Sequence, residues 1–76
     1  MATLTSALDT DFTPAVGDFN VQATGGVATL MRKNSAPAAF SPVGAVDGAK
    51  VVSNPIAGAV YRFVSFSGSP VVQADQ

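Results

Sequence analysis

Apolar and polar positions alternate with a period of two along most of this chain, the spacing of half-buried β-strands. From Phe19 the run Phe-Asn-Val-Gln-Ala-Thr puts Phe19, Val21 and Ala23 on one side and Asn20, Gln22 and Thr24 on the other. Gly25-Gly26 follows, and Val27 to Arg32 resumes the alternation. Two such runs separated by two glycines predict a hairpin with a type I′ turn, which needs positive φ at both central positions. With Thr24 facing Val27, Ala23 meets Ala28, Val21 meets Leu30 and Phe19 meets Arg32. One face then carries Phe19, Val21, Ala23, Ala28 and Leu30, closing at Arg32; the other carries Asn20, Gln22, Thr24, Thr29 and Met31. A slip of one residue would destroy the match.

The richest stretch is Val60 to Phe66, Val-Tyr-Arg-Phe-Val-Ser-Phe, dense in β-branched and aromatic residues and predicted as a central strand. Tyr61, Phe63 and Ser65 point one way; Val60, Arg62, Val64 and Phe66 point the other. Neither face is polar, so either both are covered within the fold or one meets another copy of the chain. Around it, Lys33 to Ala39 reads as a loop about Pro37, and Phe40 to Val43 as a short strand that Pro42 confines to an edge. Val46-Asp47-Gly48-Ala49 is a second tight-turn signal, with Lys50 to Ser53 returning; Asn54 to Gly58 is a loop. Ser67-Gly68-Ser69-Pro70 is a further turn, which would place Phe66 opposite Val71 and Arg62 opposite Asp75, with Val71 to Ala74 closing the sheet. Ahead of these, Thr3 to Leu8 is a short strand or arm, and Pro14 and Gly17 punctuate the approach to the first clear strand. The expectation is an extended N-terminal arm over residues 1–18 and a domain over 19–76: an all-β, small antiparallel β-sandwich or barrel of about six short strands.

Length and composition sharpen this. Seventy-six residues make one domain at most, of a size that buries only about 60% of its unfolded surface. Chains this small usually add disulfides, a metal or oligomerisation. There is no cysteine or histidine, which removes disulfides and the usual zinc ligands and leaves self-association. The chain is 47% hydrophobic and 12% charged, with net charge −1 from scattered aspartates, arginines and lysines. So few cations make no basic groove for a nucleic acid. No apolar run is long enough to span a membrane, and the start lacks the basic region of a secretory signal, so a cytoplasmic site of synthesis and assembly is expected.

Candidate chemistry is sparse. Without histidine, cysteine or glutamate the common acids, bases and nucleophile partners are missing, so no enzyme, cofactor or small-molecule substrate is expected. Asp9-Thr10-Asp11 resembles part of a calcium loop but lacks its glycine and terminal glutamate, so solvated arm residues are the better reading. Gly25-Gly26 opens no helix that could hold a phosphate. Tyr61 and the phenylalanines could stack on a sugar ring, against which stands ordinary core packing. Arg32 and Arg62 either grip a partner carboxylate or cap the ends of core faces.

The order of the pieces carries a likeness: Phe19-Asn-Val-Gln-Ala, Leu30-Met-Arg-Lys, Ser35-Ala-Pro-Ala-Ala-Phe, Ser41-Pro-Val-Gly, then Val52-Ser-Asn-Pro-Ile-Ala-Gly-Ala-Val-Tyr-Arg-Phe-Val and Gly68-Ser-Pro-Val-Val-Gln-Ala-Asp. From about Ser6 onward the chain resembles small structural proteins encoded near the capsid gene of tailed bacteriophages. The resemblance implies a capsid decoration or cement protein: a homotrimer on the capsid surface of the virion that binds between major capsid protein subunits and stabilises the head. It implies no catalytic residue. The expected interface residues are Leu4, Leu8 and Phe12 on the arm, with Ala2 to Pro14 reaching an adjacent subunit by strand addition, and Arg32, Val60, Arg62, Val64 and Phe66 on the sheet. Alternatives are a tail-side or head-fibre adaptor and, from another class, a small glycan-binding β module using Tyr61 or Phe40.

Overall fold

A computed structural model describes residues 2–35 and 37–76. The fold is all-β: one open antiparallel sheet of four strands in the order β1-β4-β2-β3. The strands are β1 (Thr3–Thr5), β2 (Gly17–Lys33), β3 (Ser41–Asn54) and β4 (Val60–Asp75). There is no second sheet among the described residues, so the sandwich or barrel of about six short strands is replaced by a simpler topology with longer strands.

The difference lies at the glycines. Gly25-Gly26 does not turn the chain: β2 runs through it, pairing with β3 on one side and β4 on the other. Phe19 therefore lies opposite Val52 and Leu30 opposite Phe63, where the hairpin would have set them against Arg32 and Val21. Gly48 and Gly68 likewise sit inside β3 and β4, with positive φ and with the ladder locally out of step. Neither the Asp47-Gly48 turn nor the Ser67–Pro70 turn forms. Phe66 does not face Val71, and Asp75 lies opposite Asn20 while Arg62 lies opposite Met31. The six expected strands are largely the halves of three long ones.

Those glycines align across the sheet. Gly48 is the partner of Ala23 and Gly26 the partner of Gly68, so the irregularities form one line running through β3, β2 and β4. At such bulges strands bend and twist sharply. A straight strand of this length would span about 55 Å at roughly 3.3 Å per residue. The whole molecule measures 31 × 27 × 17 Å, so the sheet folds back on itself along that line. The inner faces of its two halves share a single core. From one half come Phe19, Val21, Ala23, Val52, Val72 and Ala74; from the other come Ala28, Leu30, Val46, Tyr61 and Phe63.

The inward set read from the alternation is the buried one: Phe19, Val21, Ala23, Ala28 and Leu30 are all inside, as are Tyr61 and Phe63. An extra residue in a strand flips side-chain parity just as a two-residue turn does, so both readings give the same faces. Ser65, on the Tyr61 side, is exposed where β4 approaches the fold line.

The N-terminal segment closes the structure. Thr3–Thr5 adds to the edge of β4, Phe12 bridges Tyr61 through paired backbone bonds of 2.8 and 2.9 Å, and the Asp9 amide donates to the Phe63 carbonyl. The segment Ala2 to Pro14, expected to reach an adjacent subunit, pairs with β4 of its own chain. Its anchor is Phe12, 5% exposed, whose ring lies nearly parallel to Tyr61 and Phe63 at 5.8 and 5.6 Å and edge-on to Phe19 at 6.1 Å. Main-chain pairing on β4 and aromatic packing both act at short range within the chain, where no entropy of association opposes them.

Candidate interaction surface

Beneath the arm lies a buried polar centre built on Asn54. Asn54 ends β3 with no solvent exposure. Its Nδ2 donates to the carbonyls of Pro14 and Ala15 at 3.1 and 3.2 Å, and its Oδ1 accepts from the Ile56 amide at 3.3 Å and the Tyr61 hydroxyl at 3.2 Å. The bond to Ile56 is the turn an asparagine makes with the backbone two residues on, a habit legible in Asn54-Pro55. The bonds to the arm and to Tyr61 arise from contacts across the fold. This cluster is structural: every group is satisfied within the chain.

The outer faces of the folded sheet are what the chain presents. On β4, Val60, Arg62 and Val64 are half-buried, and the row ends in Phe66, 74% exposed. Thr29 and Met31 lie beside Val64 and Arg62 on β2, and Ala45 and Pro42 continue the same face onto β3. Near Val60 the face carries charge. The Arg62 guanidinium lies 4.6 Å from the Phe40 ring centroid and holds Asp11 at 2.7 Å, while the Lys33 ammonium lies 5.0 Å from the same ring. Arg62 therefore grips a carboxylate of its own chain, not the Asp75 expected from the turn reading. The other outer face holds a groove of about 370 Å³ bordered by Asn20, Gln22, Lys50, Val51, Gln73 and Asp75, and Val71 is exposed on β4.

The expected interface residues thus fall into separate groups. Val60, Arg62, Val64 and Phe66 share one outer face; Arg32, opposite the inward-facing Tyr61, lies half-buried on the other side of the sheet. Leu4 and Leu8 pack, partly buried, against the core that contains Phe12. Tyr61, 0% exposed with its hydroxyl bonded to Asn54, offers no ring to a sugar. Sequence reasoning missed Asn54, the stacking of Arg62 and Lys33 on Phe40, and the exposed Val51 and Val71. The first carried a local signal; the stacking depends on β4 lying beside the end of β2, which no local run of residues specifies. Among the described residues, no group of three or more acidic or metal-binding side chains gathers at one point.

No protein-family model, curated protein or solved structure matches this chain.

Proposed function

We propose that this chain is a structural protein of a bacteriophage virion: a capsid decoration or cement protein that assembles as a homotrimer in the host cytoplasm, binds between major capsid protein subunits at the capsid surface and stabilises the head. The observation that carries this reading is the outer row of β4, Val60, Val64 and Phe66. An apolar row on the central strand, open to solvent at a phenylalanine, is a surface suited to cover by another protein. A cement protein must bridge neighbours against outward pressure. Many modest contacts repeated by symmetry do this, because linked contacts multiply. Low charge and a surface rich in alanine, valine and serine are compatible with such contacts. The docked arm supports the reading in another way: it pairs with both ends of the β4 edge and leaves the outer row of that strand uncovered.

The test is the mass of the purified protein at micromolar concentration together with its binding to empty capsid shells. A trimer that adds to shells and raises their resistance to heat is expected. A folded monomer that ignores capsids would overturn the reading. Microscopy of whole particles separates a place on the capsid lattice from a tail-side or head-fibre position.

A further inference from the structure

We infer that Asp47-Gly48 is a modification site: where β3 crosses the fold line, Asp47 converts to isoaspartate without an enzyme, with water as the only co-reactant. The Gly48 amide nitrogen attacks Cγ of Asp47. A C–N bond forms, and a carboxyl oxygen leaves as water, taking the amide hydrogen and a proton. The resulting succinimide ring then takes up water. Opening at Cγ restores aspartate; opening at the main-chain carbonyl of Asp47 leaves the chain running through Cγ, which is isoaspartate. Nothing is oxidised or reduced, and the mass of the chain does not change.

The attack needs a free carboxyl, an unshielded amide and a backbone that the sheet does not grip tightly. Asp47 is exposed, and among the described residues its carboxylate joins no hydrogen bond or ion pair. Gly48 has no Cβ to shield its nitrogen, and the space where one would lie is empty to 4 Å. In the ladder Val46 faces Ala28 and Gly48 faces Ala23, so Asp47 is skipped, and β3 is an edge strand with no element along its other side. A nucleophile one bond away from its target then gains the full advantage of an intramolecular reaction. Elsewhere the same chemistry is blocked. Gly48 is the only glycine that follows an aspartate or asparagine. Asp11 is held by Arg62, and the amide after it, that of Phe12, donates to the Tyr61 carbonyl. Asn54 is buried and precedes Pro55, which has no N–H to attack with. The product fits where it forms: β2 crosses the fold line with Thr24 to Val27 where β3 has Asp47 alone, so an added main-chain methylene lengthens the shorter side. The new carboxyl stays at the exposed edge, open to an enzyme that methylates isoaspartate.

The test ages the full chain, its amide spectrum showing it folded, at neutral pH and physiological temperature. Trypsin then releases Asn34 to Lys50, in which Asp47 is the one aspartate. Electron-transfer fragmentation identifies isoaspartate, and deamidation of Asn34 is told apart by its change in mass. Isoaspartate should accumulate at Asp47 ahead of every other aspartate, within about tenfold of the rate in the same peptide free in solution, because a skipped edge residue opens at little cost. Aged chain, and not fresh chain, should accept labelled methyl groups from an isoaspartyl methyltransferase. Gly48→Ala should slow the reaction severalfold, and Asp47→Glu, which would have to close a larger ring, should abolish it. If Gly48→Ala does not fold, Asp47→Glu and the comparison with the free peptide decide. An intact Asp47 after the peptide has converted, a rate further below the peptide's than that, isoaspartate first at another residue, or undiminished methyl acceptance in Asp47→Glu would each overturn the proposal.

Discussion

Asn54 makes four hydrogen bonds from a site closed to solvent, and they join three parts of the chain: the end of β3, the arm and β4. Replacing it with alanine leaves the Tyr61 hydroxyl and the Pro14 carbonyl buried without these partners, so Asn54→Ala should destabilise by about 3 kcal/mol in urea unfolding. Tyr61→Phe removes only one donor, and Asn54 Oδ1 keeps the Ile56 amide. Its cost should be nearer 1 kcal/mol, and a larger loss for Tyr61→Phe than for Asn54→Ala would contradict this account of the cluster. Phe12 touches three aromatic rings across the core. Phe12→Ala should cost about 3–5 kcal/mol by cavity formation, which a purely external arm residue would not.

At the scale of elements, the fold line is where glycine is required, and for two different reasons. A Cβ on Gly26 would lie 2.5 Å from the Ser67 carbonyl oxygen and 3.0 Å from the Pro70 ring, because β2 and β4 pass backbone against backbone there. A Cβ on Gly48 meets nothing within 4 Å, and only its φ of +84° resists substitution. Gly48→Ala should therefore cost about 1–2 kcal/mol, and Gly26→Ala clearly more because packed backbone cannot move aside. Thermal unfolding of the two variants compares them directly, and equal costs would show that backbone strain alone governs the line. The same line explains what local reading could not see. A glycine pair between alternating runs marks a break in strand geometry, and the break serves equally as a turn or as a bulge. The choice depends on which strands lie alongside, and here both sides of β2 are already paired. The position of Pro42 on an edge strand was legible because a missing amide is tolerated only there.

At the scale of the molecule, the fold shelters the inner side of the tyrosine strand with its own chain and leaves the outer side partly open. Phe66→Ser removes a ring that is mostly in solvent, so protomer stability should change by no more than about 0.5 kcal/mol. If this ring anchors an assembly, the concentration needed for trimers should rise about thirtyfold, the effect of a contact of roughly 2 kcal/mol. Sedimentation at several concentrations reads both species. An unchanged trimer in the variant would move the interface to the Val51 and Val71 face. The candidate surface was only half legible in advance. The outward parity of Val60, Val64 and Phe66 follows from position in one strand, whereas the grouping of Phe40, Lys33 and Arg62 requires strands far apart in sequence.

By itself the sequence determined an all-β chain and the side of the sheet on which Phe19, Val21, Ala23, Ala28, Leu30, Tyr61 and Phe63 lie. Side-chain direction alternates residue by residue, and burial of apolar groups then selects the face. Only the tertiary structure decided that three glycine breaks are one fold across a single sheet, that the N-terminal segment closes its own core, and that Asn54 joins the parts. Those outcomes depend on which strands become neighbours, and strand pairing is settled by the whole chain packing together, not by any local run of residues.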